Sequence, residues 1–218
     1  MMVRTAEAVR NFHAVGWLHK GINSKNILFV PSATDTDNVF TSARAGPFLA
    51  GFGYSRAANV TEFSEIPLTS SEDDFYCHTA VVGPAPKCFR KLFDLYALGL
   101  VLLEIALWEK LSDILEGACE PDELTGHQDQ LQLIAVRDRV LLRQEEGSVM
   151  RRLRDSCTSA VYNAVEICLS QRAEATWELF DNNLKLQNGV VDLLDLAIRT
   201  IDATTWSALN TTTEDSGD

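Results

Sequence analysis

No apolar run in this chain reaches the roughly 18 residues that a membrane-spanning helix needs. The longest, Leu92 to Trp108, is 17 residues and is interrupted by Asp94 and Glu104, so no membrane span is expected. The chain does not open with a basic stretch followed by an apolar one, which leaves nothing to mark it for secretion. Cysteines number five, an odd count, and Cys77, Cys88, Cys119, Cys157 and Cys168 show no pairwise spacing, which argues against a disulfide framework. Basic residues are scarce: 19 Lys and Arg stand against 31 Asp and Glu, a formal net charge of -12. Such a chain has no footprint for gripping phosphate backbones, and nucleic acid is not an expected partner. No repeat with a period of 20–50 residues is found. The expectation is a reduced, cytoplasmic protein.

What is present is globular. Hydrophobic residues make up 46% and charged residues 23% of 218 residues, enough for one domain with a real core. The charge is uneven. Residues 1–60 hold six Lys and Arg against three acids, and residues 61–130 hold four against fourteen. Glu72-Asp73-Asp74 and the stretch from Asp113 to Glu123 are the densest acidic parts and read as solvated surface or loop.

Residues 2–14 place Val3, Ala6, Val9, Arg10 and His13 at helical spacing ahead of Gly16, which predicts a short helix. Asn26 to Val30 is apolar and β-prone before Pro31, and Pro47 to Gly53 is a second short apolar run. The two can pair as a hairpin. Residues 54–91 lack periodicity and carry Pro67, Pro84 and Pro86, a long irregular segment of the kind that is functional or disordered. Leu92 to Trp108 predicts a buried core helix. Further helices are predicted near 127–146, 149–170 (capped or interrupted at Asp155 or Ser156) and 173–203 (interrupted at Asn188-Gly189), with a frayed tail over 206–218. The fold class is mostly α, α+β overall.

Three pieces stand in a fixed order: His19-Lys20-Gly21-Ile22-Asn23-Ser24-Lys25-Asn26 running into a strand, Gly51-Phe52-Gly53, and Asp94-Leu95-Tyr96-Ala97-Leu98-Gly99 opening the apolar helix. Together they resemble the C-terminal lobe of a eukaryotic protein kinase. In that family the catalytic loop reads H-R-D-L-x-x-x-N and the metal loop D-F-G, and the central helix carries D-x-W/Y-S-x-G. WLHKGINSKNILF, LAGFGYSR and FDLYALGLVLLEIALW are similar to these three motifs. The wording is most similar to the divergent kinase-like domains of filamentous fungi, some of which accompany HeLo or prion-inhibition domains. The resemblance implies a kinase C-lobe-like domain over 1–205. It would have a small β-hairpin by the catalytic and metal loops, an activation-segment-like loop over 54–91, a central helix over 92–108, and no N-terminal lobe.

The departures bear on activity. In the family an Asp of the catalytic loop takes the substrate hydroxyl proton, while the loop Asn and the metal-loop Asp hold Mg²⁺. The catalytic Asp position is Gly21, the following Lys position is Asn23, and the metal-loop Asp position is Gly51. Only Asn26 is left as a weak cofactor ligand, and one neutral amide is a poor Mg²⁺ site. No G-x-G-x-x-G and no V-A-I-K run occurs. The resemblance therefore implies no catalytic residue and no metal. ATP with Mg²⁺ is expected only if an N-terminal lobe is supplied.

The remaining matched positions are structural: His19 and Phe52 as stacked spine members, Gly53, Gly99, and Asp94 as acceptor for catalytic-loop N–H groups. Lys20 replaces the loop Arg, either solvated or paired with an acidic or phosphorylated residue of the next segment. Ser64, Thr69, Ser70 and Thr79 are candidate phosphosites, and no A-P-E motif closes the segment. Cys77, His78 and Cys88 raise a zinc alternative that lacks a fourth ligand. Asp35 and Asp37 read as solvated turn residues rather than substitute acids. Asn59 and Asn210 fit a glycosylation pattern that means nothing without secretion.

The resulting expectation is a pseudokinase-like binding or scaffold module rather than an enzyme. A protein partner or the missing lobe would sit on an apolar face near Trp17, Leu28 and Phe52. One alternative is a kinase completed by a lobe encoded upstream. Another is an unrelated helical interaction module, for which residues 19–53 would not form a loop–hairpin–loop unit.

Overall fold

A computed structural model describes residues 1–29, 47–58, 75–82, 88–119, 130–143, 145–170, 187–193 and 195–196. Asp35, Asp37, Asn59, Ser64, Thr69, Ser70, Glu72 to Asp74, Glu120 to Glu123 and the tail over 206–218 lie outside the described residues. In chain order come α1 (Met2–Ala14), β1 (Trp17–Leu18), a 3₁₀ turn (Ser24–Asn26), β2 (Ile27–Leu28), β3 (Phe48–Leu49), a second 3₁₀ turn (Phe52–Tyr54) and β4 (Arg56–Ala57). Then follow α2 (Thr79–Val82), α3 (Lys91–Leu107), α4 (Leu111–Glu116), α5 (Gln130–Leu142), α6 (Val149–Ser156), α7 (Ser159–Leu169) and a last helix, α8, over 187–193. The described residues are mostly helical with two small antiparallel sheets, an α+β arrangement.

The organising element is α3. Every residue from Leu92 through Glu104 is buried, because a helix apolar on all sides must be surrounded. α1, α4, α6 and α7 pack around it. Leu98, Leu100, Leu102 and Leu103 are each at most 1% exposed, and burying each such side chain is worth about 1.5–3 kcal/mol. Closest approach is to α7. A Cβ placed on Gly99 would stand 2.7 Å from Cys168 Cβ and 3.0 Å from Leu169 Cδ2. Gly99 is thus the position that lets two helices touch backbone to side chain. Burial pushes the Cys168 thiol up to about 12, so it serves as a small apolar filler rather than a nucleophile.

The helix over 2–14 is formed as expected, burying Val3, Thr5, Ala6, Val9 and His13. The two apolar runs pair antiparallel, Ile27 with Leu49 and Leu28 with Phe48. A second pairing, Trp17 with Ala57 and Leu18 with Arg56, falls partly in the region read as irregular. That region also holds α2. The expected helix over 149–170 is two helices. The break comes at Cys157 and Thr158, and the cap is Thr158, whose hydroxyl accepts from Val161 N at 3.4 Å, not Asp155 or Ser156. The acidic stretch from Asp113 starts inside α4, where Leu111, Ile114 and Leu115 are at most 1% exposed. Its apolar residues, not its acids, decide its place.

Candidate functional site

The N-terminal end of α3 delivers Asp94 into the core beneath the loop that begins at His19. The residue is 0% exposed, and a bare carboxylate there would be costly. Three donors meet it: His19 N at 2.7 Å and His13 Nε2 at 2.9 Å on Oδ2, and Lys20 N at 2.8 Å on Oδ1. Gln187 Nε2 from α8 donates to His13 Nδ1 at 2.7 Å, which places the His13 proton on Nε2, facing the carboxylate. Asp94 and His13 together thus tie α1, α3, the loop and α8. Lys20 adopts φ 66°, an uncommon conformation for a residue with a Cβ, held by this same backbone bond to Asp94.

His19 points the other way, toward the second loop. Its Nε2–H donates to Ala50 O at 2.9 Å, and its Nδ1 accepts from Gly21 N at 3.3 Å. Its ring lies 5.0 Å from Phe52 and 5.8 Å from Phe12, with Phe12 5.4 Å from Phe52 and 6.2 Å from Trp17. Burial lowers the His19 pKa below 6.5, outweighing Asp94 and the Ala50 carbonyl, which favour the cation. In acid the unfolded chain takes up a proton that the folded His19 refuses. Stability is therefore lost as pH falls below about 6.5. A His19→Gln variant is expected to lose less between pH 7.5 and 5.5, by at most about 1.4 kcal/mol per pH unit. Urea midpoints at the two pH values read this directly.

Gly21, Asn26 and Gly51 form the contact between the two loops. Asn26 Nδ2 donates to Gly21 O at 2.6 Å, Asn26 N donates to Asn23 Oδ1 at 3.0 Å, and Ala50 N donates to Asn26 O at 2.8 Å. Gly51 sits at φ 82°, and a Cβ there would lie less than 3.0 Å from three atoms of the Asn26 side chain. A Cβ on Gly21 would meet its neighbours at 3.6 Å or more, ordinary contact. Position 21 can accept a side chain; position 51 cannot while Asn26 stands where it does.

Beside this contact is a cleft of about 400 Å³. It is lined by Lys20, Gly21, Asn23, Lys25, Asn26, Gly51 and Gly53 together with Tyr76, His78, Val81, Phe89 and Phe93. Among the described residues that line it, the one carboxylate is Asp94. Lys20 Nζ lies 5.7 Å from the Phe89 ring centre. Burial, and secondarily Arg56, lowers its pKa against the opposing pull of Asp94. His78 stacks at 4.8 Å on Phe93 and 4.9 Å on Tyr96, and its Nδ1 accepts from Ala80 N at 3.0 Å. Among the described residues, no group of three or more His, Cys, Asp or Glu is placed to hold a metal ion, Cys77, His78 and Cys88 included.

Two polar clusters hold the segment that brings Tyr76 and His78 to the cleft. Arg137 of α5, 0% exposed, donates through Nη1 to Phe75 O and, at 2.6 Å, to Cys77 O. Its Nη2 reaches Asp138 Oδ1 at 2.6 Å. Asp138 also accepts from Thr79 Oγ1 and from Tyr96 Oη at 2.5 Å, so the Thr79 hydroxyl is engaged. Burial raises the Asp138 carboxyl, but Arg137 and the two hydroxyls outweigh it and hold it below 3.8. Glu104 of α3 accepts on Oε1 from Tyr76 Oη at 2.7 Å, Leu111 N at 2.8 Å and Ser24 Oγ at 3.4 Å.

His19, Lys20, Gly21, Asn23, Asn26, Gly51, Phe52, Gly53 and Asp94 are thus brought to one place, while Gly99 serves the α3–α7 contact. Residues the sequence did not flag are Gln187, Tyr76, Arg137 and Asp138. His13 appeared only as part of a helical face, and a histidine on such a face is the signal that could have found it. Trp17, Leu28, Phe29, Phe48 and Phe52 are large apolar side chains left 44–50% exposed. Among the described residues no helix is long and apolar enough to cross a membrane. No protein-family model matches the chain, and no curated protein matches it by sequence.

Proposed function

We propose that the chain is a protein kinase-like C-terminal lobe without phosphotransfer activity, an intracellular binding module. The observation that carries the reading is one geometry. The loop from His19 is suspended from Asp94 by two backbone N–H bonds, and His19 stacks on Phe52, while the two positions where such a loop pair needs carboxylates are Gly21 and Gly51. Phosphoryl transfer is mostly positioning and electrostatics. Gly21 offers nothing to receive a hydroxyl proton, and Gly51 nothing to hold Mg²⁺. Asp94 cannot stand in, since both its oxygens are taken up by buried donors. Contacts that need no carboxylate at those two positions remain, and they support a role as a shaped surface. The apolar face over Trp17, Leu28 and Phe52 is the surface on which a protein partner would sit, as patches of this kind mark interaction sites.

That same face favours a second reading, in which another lobe docks there and supplies nucleotide contacts. Even so, the two glycines predict little or no turnover. Transfer of labelled phosphate to the chain itself and to generic substrates, with Mg²⁺ or Mn²⁺, tests the absence of activity. The proposal expects none; turnover that disappears in Asn26→Ala would overturn it.

A further inference from the structure

The geometry points to the cleft beside the His19 loop as a binding site for a small aromatic carboxylate, whose ring packs on rings and whose acid group meets a lysine ammonium. The inference goes beyond the reading above and does not rest on it, since it uses only the cleft's size, rings and charges. The cavity is about 400 Å³, at the lower end of the about 300–1,000 Å³ of small-molecule sites. That size favours a compact ligand over a peptide chain.

The apolar part of the site is a run of rings. Among the lining residues, His78 lies 4.8 Å from Phe93, and Phe93 lies 5.4 Å from Phe89, ring centre to ring centre. Such a run takes a further ring in offset or edge-on contact. It ends at a charge, since Lys20 Nζ stands 5.7 Å from the Phe89 ring centre. A ligand lying along the rings therefore reaches an ammonium group with its end, and the matching group there is an anion.

The sign of the site is the reverse of the chain's. The protein carries a net charge of -12, yet the described lining residues hold two ammonium groups, Lys20 and Lys25, and one carboxylate, Asp94. Asp94 is 0% exposed, and its two oxygens already accept from His13 Nε2, His19 N and Lys20 N. A surplus of one positive charge is what one carboxylate neutralises, whereas a doubly charged phosphate would overshoot it. Among the described lining residues there is also no arginine, the side chain whose planar fork suits phosphate. Burial, and then Arg56, works against the charge on Lys20 more than Asp94 supports it. An anion arriving beside it relieves that standing cost.

The test is an amide NMR titration of the whole chain with indole-3-acetate, beside tryptophol, which keeps the ring, and acetate, which keeps the charge. Saturable shifts at Gly21, His78 and Phe89 are expected, with a Kd of about 1 mM or tighter for a ligand of about a dozen non-hydrogen atoms. Tryptophol and acetate should each bind at least about fivefold more weakly. Position 21 lines the cleft and has room for a side chain, so Gly21→Asp places a carboxylate there and Gly21→Asn its neutral isostere. Gly21→Asp should weaken indole-3-acetate about tenfold relative to Gly21→Asn and leave tryptophol unmoved. Equal affinities in the two variants overturn the inference. So do equal affinities for acid and alcohol, shifts confined to other residues, or no saturable binding below about 10 mM. If Gly21→Asp does not fold, Lys20→Met carries the charge test: it should weaken the acid about threefold or more, and an unchanged affinity overturns the inference. Phosphotransfer by the chain would instead sink the functional reading and leave these outcomes as they are.

Discussion

Asp94→Ala is expected to destabilise the protein by about 3–5 kcal/mol, the scale for breaking a buried charged cluster by removing one partner. The loss follows from what is left behind. His19 N and Lys20 N lose their acceptor, at about 1–3 kcal/mol for each buried donor left unpaired, and His13 loses the group that Gln187 and α1 orient it toward. Asp94→Asn keeps the shape and one acceptor oxygen, so it should retain part of the stability. Denaturant midpoints at constant slope measure both variants. Amide hydrogen exchange adds the local readout: His19 and Lys20 should exchange faster, since their protection comes from this carboxylate. A loss below about 1 kcal/mol would mean that solvent reaches the loop amides in its place.

Arg137→Ala is the second large effect, again about 3–5 kcal/mol. The guanidinium is fully buried and satisfies the backbone carbonyls of Phe75 and Cys77 while neutralising Asp138. Its removal strands two carbonyl oxygens and leaves a half-buried carboxylate facing only hydroxyls. Arg137→Lys should recover less than half of the loss, because an ammonium cannot span both carbonyls and the carboxylate with a planar fork. Urea unfolding gives the magnitude, and faster amide exchange at Ala80 and Val81 would locate it. Near-complete rescue by lysine would show that charge alone, not the fork, holds the segment at 75–77.

What was legible in the sequence was the part written in short, ordered motifs. His19 through Asn26, Gly51 through Gly53 and Asp94 were singled out, and they converge in space. The acid at Asp94 demanded partners because it opens an otherwise apolar helix, and backbone donors supply them. What escaped notice depends on tertiary contacts with no local signature. Arg137 and Asp138 lie on a helix with no distinctive local pattern, and the approach of residues 75–79 turns them into a clamp. α4 was hidden by acids around three buried aliphatic residues. The break at Cys157 and Thr158 is set by Thr158 capping the next helix rather than by the more conspicuous Asp155. That positions 21 and 51 carry no carboxylate is plain from residue identity alone. That Asn26 closes position 51 required coordinates, since no sequence pattern reports which way an amide points.

The most direct test of the central claim, that this loop pair is held together without nucleotide chemistry, is thermal unfolding of the intact chain with ATP and MgCl₂. The account predicts a Tm unchanged by ATP, by Mg²⁺ or by both together, since Gly21 and Gly51 supply no carboxylate and a single neutral amide oxygen at Asn26 is a poor Mg²⁺ site. A saturable rise of several degrees that requires both ATP and Mg²⁺ would contradict it, because mass action would then be reporting a formed nucleotide–metal site.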